Sequence, residues 1–77
     1  MYYEINVAKK DKKGEYRHYF ATAKRSITTQ TQLQEMTKHF MTVFPAPEYH
    51  ISVSYVPEVS YGMEAQDFLN NPDKINP

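Results

Sequence analysis

Cysteine is absent from these 77 residues, which excludes a disulfide framework and any thiolate metal site as props for a small core. Stability must then come from packing, in a chain short enough that only about 60% of its unfolded surface is buried on folding. No apolar run approaches the roughly 20 residues that a membrane-spanning helix needs. The opening Met1-Tyr2-Tyr3-Glu4 is not a basic region leading into an apolar one. These absences predict a soluble, cytoplasmic protein of bacterial or phage style. Net charge is also absent, at zero overall, yet the halves differ. Residues 1–25 hold seven basic against three acidic side chains, a net of plus four, and the remainder carries minus four. A basic segment of that kind meets phosphate or an acidic protein surface, or simply solubilises a hairpin tip and guards a sheet edge.

Glycine occurs only twice, and one of the two sits where a turn needs it. In Asp11-Lys12-Lys13-Gly14-Glu15, an Asp followed three residues later by Gly predicts a type I turn whose Gly takes the left-handed conformation. That closes a three-residue hairpin loop with Asp11 opposite Glu15. Counting back pairs Lys10 with Tyr16, Lys9 with Arg17, Ala8 with His18, Val7 with Tyr19, Asn6 with Phe20 and Ile5 with Ala21. Paired residues share a face. Since Tyr3, Ile5 and Val7 make the better buried set, Tyr19, Ala21 and Ala23 are expected inside and Tyr16, His18 and Phe20 outside. A loop one residue longer or shorter would exchange the two faces.

Strands are predicted over 2–8 and 15–23 from aromatic and β-branched content. Thr29 with Gln32 three residues on reads as a capping box opening a helix. Leu33, Met36, Phe40 and Val43 or Phe44 then recur at helical spacing, and Pro45 ends the helix. From Tyr49 to Val56 the alternation is the cleanest in the chain: Tyr49, Ile51, Val53 and Tyr55 face one way, and His50, Ser52 and Ser54 the other. Tyr61, Ala65, Phe68 and Leu69 suit a short second helix or turn. Residues 70–77, with two prolines and three asparagines, read as a frayed tail after a single domain over 1–69.

A strand-strand-helix-strand chain closes most simply as an α+β fold. Its three-stranded antiparallel sheet has order 2-1-3, a right-handed crossover and one helix on one face. The topology resembles half of a ferredoxin-like unit. The expected core is Tyr3, Ile5, Val7, Tyr19, Ala21, Leu33, Met36, Phe40, Val43, Ile51, Val53 and Tyr55. One helix leaves the second sheet face uncovered, and that face would carry Tyr2, Tyr16, His18, Phe20, His50 and Ser52.

No motif names an activity, so function is argued from what covers this face. One cover is the chain's own C-terminal segment, laying Val59, Tyr61, Phe68 and Leu69 on the sheet. Another is a protein partner or a second copy, with the aromatics as anchors. The third is a single-stranded nucleic acid. Its bases would stack on Tyr16, His18 and Phe20, while Lys9, Lys10, Lys12, Lys13 and Arg17 hold its phosphates. The neutral net charge and the lack of a glycine-and-aromatic signature weaken that third reading. Protein contact, including homodimerisation, is the leading expectation.

Catalysis and cofactors are not expected. His18 and His50 would share the outer face about 10 Å apart, with Glu4 the geometric third ligand, but no zinc-like clustered spacing occurs. Ser52 beside His50 lacks an orienting acid and oxyanion donors. Lys24, Arg25 and Ser26 before the threonines at a helix start suit caps better than an anion site.

Overall fold

The computed structural model describes residues 2–22, 27–56 and 62–75. Strands β1 (Tyr2–Lys10) and β2 (Tyr16–Ala21) form the N-terminal hairpin, helix α1 (Gln30–Val43) carries the chain back, and β3 (Tyr49–Val56) pairs with the other side of β1. A two-residue strand β4 (Met63–Glu64) then leads into helix α2 (Ala65–Asn70) and a 3-10 turn (Pro72–Ile75). All pairings are antiparallel, in the order β2-β1-β3-β4. The sheet therefore has four strands rather than the expected three. Two residues are too few to show an alternating pattern, so β4 leaves no mark on the sequence.

The hairpin tip forms as its chemistry dictates. Gly14 has φ of 84°, its N–H donates to the Asp11 carbonyl at 3.0 Å, and the Asp11 N–H donates to Glu15 O at 2.8 Å. The Asp11 carboxylate accepts from the Lys13 and Glu15 amides at 2.8 and 2.9 Å and from Arg17 Nε at 2.8 Å. The Arg17 bond above all, with the Glu15 amide next, holds the Asp11 carboxyl below its ordinary value.

Pairing follows the expected register for three steps, Lys10 with Tyr16, Lys9 with Arg17 and Ala8 with His18, and then a bulge sets Val7 against Phe20 and Asn6 against Ala21. The bulge absorbs Tyr19 as an extra residue and turns both Tyr19 and Phe20 toward the helix. Phe20 lies with its ring 6.0 Å from Phe40 and 5.3 Å from Phe44, so the expectation that it faces outward is overturned. Burying a Phe side chain is worth about 1.5–3 kcal/mol, more than the roughly 1 kcal/mol of one forfeited ladder hydrogen bond. Tyr19 stays half exposed, at 50%, against Phe44 and Tyr49. Ala21, paired with the outward Asn6, is not core. Ala23 lies outside the described residues.

Helix α1 starts in the expected capping box, the Gln32 amide donating to Thr29 Oγ1 at 3.1 Å and the Thr29 amide to Gln32 Oε1 at 3.2 Å. Its inward stripe runs through Leu33, Thr37, Phe40 and Phe44 rather than through Val43, which is 50% exposed. The core joins Tyr3, Ile5, Val7, Ile51 and Val53 from the sheet with Ile27, Leu33, Ala65, Phe68 and Ile75. Burial raises the Tyr3 phenol above its ordinary value, with the Tyr55 phenol adding to the shift. Met36, Phe40 and Tyr55 flank the cluster. Residues 72–75 are thus no frayed tail, because Ile75 is fully buried. Two apolar side chains, Phe68 and Ile75, anchor a segment that composition marks as loose.

Thr37 is fully buried and its hydroxyl has no hydrogen-bond partner. An unpaired buried hydroxyl costs about 1–3 kcal/mol in desolvation, and valine has nearly the same shape without it. Thr37→Val is expected to keep or raise stability by up to about 1 kcal/mol, read from the urea midpoint. A fall of more than about 1 kcal/mol would mean that the hydroxyl is satisfied in solution.

Candidate functional site

Both helices and the 3-10 turn feed the same side of the sheet, so among the described residues nothing covers the other side. The expectation that the C-terminal segment folds onto the outer face is overturned for Phe68 and Leu69, which pack with the core. Val59 and Tyr61 lie outside the described residues.

The strand register assigns the open face. Tyr2, Glu4, Asn6, Ala8 and Lys10 come from β1, and Val56, Ser54, Ser52 and His50 from β3. Tyr16, His18 and Ala21 come from β2 and Glu64 from β4. Of the expected site residues, Tyr2, Tyr16, His18, His50 and Ser52 meet on this face and Phe20 does not.

Relief on the face is uneven. Tyr16 leans across β1: its hydroxyl donates to the Pro47 carbonyl, and its ring lies 5.5 Å from that of His50. His18 and His50 both pair with Ala8, one from each side. Tyr16, His18 and His50 therefore make a ridge at the hairpin end. In the middle of the face, before Glu4, Tyr2 and Val56 at the start of β1, the side chains are short: Asn6, Ala21, Ser52 and Ser54, with Asn6 Nδ2 donating to Ser54 Oγ at 3.0 Å. This is a shallow trough.

Charge follows the same axis. Lys10 stands at the ridge end and Glu4 at the trough end, six residues apart on β1 or about 20 Å, and neither makes an ion pair among the described residues. Glu64 of β4 adds a carboxylate to the face, 4.0 Å from His50 Nε2, an ion pair only when the imidazole is protonated. Glu4 is not drawn into a ligand set with the histidines, and no cluster of three metal-ligating side chains occurs among the described residues.

The basic set assigned to nucleic acid is divided by the sheet. Lys9 projects to the helix side, its ammonium 5.9 Å from the Tyr19 ring centre and 5.8 Å from that of Tyr49. Arg17 is also on that side, bonded to Asp11 and 3.8 Å from Glu15. Only Lys10 shares the outer face with the rings, and Lys12 and Lys13 stand at the exposed hairpin tip. Lys24, Arg25 and Ser26 lie outside the described residues. Strand alternation already sets Lys9 and Arg17 on the opposite face from Lys10; the bulge at Tyr19, for which nothing in the local pattern gives a signal, takes Phe20 off the outer face.

A cleft of about 160 Å3 lies at the β3–β4 end of the sheet, lined by Met41, Phe44, Tyr49, Ile51 and Ala65 and also by His50 and Glu64. Small-molecule sites commonly span roughly 300–1,000 Å3, so this opening does not by itself argue for a substrate or cofactor. No helix among the described residues is long and apolar enough to cross a membrane. Comparison with protein-family models, curated proteins and solved structures finds no match for this chain.

Proposed function

We propose that this chain is a non-catalytic binding module that works by protein contact through the open sheet face, with a second copy of itself as partner. The observation that carries the reading is that, among the described residues, both helices and the core cluster pack on one side of the sheet, while the other presents exposed or partly exposed Tyr, His, Asn and Ser52 side chains. Such side chains suit contact: the rings supply area at little conformational cost, and the hydroxyls and amides adapt their hydrogen bonds. Zero net charge means that two copies approach without overall repulsion.

Nucleic-acid binding loses support, because Lys9 and Arg17 stand on the side away from Tyr16 and His18. Strands of nine, six and eight residues about 4.8 Å apart present on the order of 350 Å2 per copy. Two copies together bury about 700 Å2, in the range of weak contacts. Self-association is therefore expected to depend on concentration. In sedimentation velocity, wild-type mass should rise from 9.1 kDa toward twice that value as the protein is concentrated to the millimolar range. Ser52→Arg, which puts a charge in the trough, should stay at the monomer mass with an unchanged circular dichroism spectrum. A wild-type mass that never leaves 9.1 kDa would sink the reading.

A further inference from the structure

We infer that two copies stack face to face about a two-fold axis that crosses β1 near Val7, so that each copy's ridge enters the other's trough and Lys10 of one meets Glu4 of the other. The inference rests on the proposed self-contact and adds its geometry.

An axis lying in the interface and perpendicular to β1 reverses strand direction but keeps β1 over β1 and β3 over β3. A residue at the level of position 8 then faces one at the level of position 6. The consequences follow from the pairing. His50, at the level of Ala8, faces Ser52, at the level of Asn6. His18 faces Ala21, Ala8 faces Asn6, and Lys10 faces Glu4. The large His50 and His18 meet the short Ser52 and Ala21, Ala8 meets Asn6, and Lys10 and Glu4, the two outer-face charges of β1, meet with opposite sign, twice by symmetry. An axis parallel to the strands would instead set ridge against ridge and level with level, leaving the troughs empty. Aligned sheets stack about 10 Å apart, a spacing that Ala8, Ala21, Ser52 and Ser54 permit. Closed two-fold contacts are self-complementary in this sense, residue i meeting j while j meets i.

Charge reversal tests the geometry. Glu4→Lys and Lys10→Glu each turn two symmetry-related attractions into two repulsions, so each variant alone is expected to self-associate about tenfold more weakly than wild type. An equimolar mixture restores both pairs, since Lys at position 4 of one chain meets Glu at position 10 of the other. The mixed dimer should form in preference to either homodimer, as seen with two differently labelled chains in sedimentation or energy transfer. The double variant on one chain should recover wild-type association. Ala21→Trp, which fills the trough without charge, should also abolish association and serves if a charge variant folds poorly. If wild type self-associates but the mixture is no tighter than its components, the axis is wrong while self-contact stands. If wild type is monomeric throughout, self-contact and axis fall together.

Discussion

Phe68→Ala is expected to cost about 3–5 kcal/mol of folding free energy, enough to leave much of the protein unfolded at room temperature. Phe68 is fully buried and is the largest of the fully buried side chains. With Ala65 it is one of the two fully packed apolar residues by which the six-residue α2 reaches the core, Leu69 flanking them. A helix that short has no stability of its own, so no local structure persists to limit the cavity. A domain of this size has on the order of 4–11 kcal/mol in total. Far-UV circular dichroism and a urea titration should show a lowered midpoint or no folded baseline. A loss under about 1 kcal/mol would mean that α2 is not docked in solution.

Ile75→Ala should cost about 2–5 kcal/mol, although it lies third from the end of the sequence given. The side chain is fully buried within the 3-10 turn Pro72–Ile75, where the Lys74 amide donates to the Asn71 carbonyl at 3.1 Å. Lys74→Ala, at an exposed neighbouring position, should stay within about 0.5 kcal/mol of wild type. The contrast separates a docked anchor from a general effect of altering the tail. Equal, negligible effects at both positions would restore the frayed end that composition suggests.

Much of the fold was legible because it rests on local chemistry. The capping box at Thr29 and Gln32, the left-handed Gly14 and the alternation of Tyr49–Val56 each act within a few residues. The sheet order around β1 followed from chain reversal alone. What was not legible depends on distant partners. Phe20 sits in an alternating run that assigns it outward, and it turns inward because Phe40 and Phe44, some twenty residues on, offer it a place. Thr37 is buried on the inward stripe beside Leu33 and Phe40, where the apolar spacing gave no sign of a polar residue. Ile27 and Ile75 are single apolar residues in otherwise polar stretches, and only the closed fold shows what they fill.

The candidate site divides in the same way. That Tyr2, Tyr16, His18, His50 and Ser52 share the sheet face away from the helices is written in residue order, because side-chain direction alternates along a strand and the turn sets the phase. The exclusion of Phe20 from that face and the ridge that Tyr16 makes by leaning to Pro47 were decided by tertiary structure, whereas the separation of Lys9 and Arg17 from Lys10 already follows from strand alternation. A bulge is a bargain between a lost ladder bond and a buried ring, and only the assembled helix and sheet supply the second side of it.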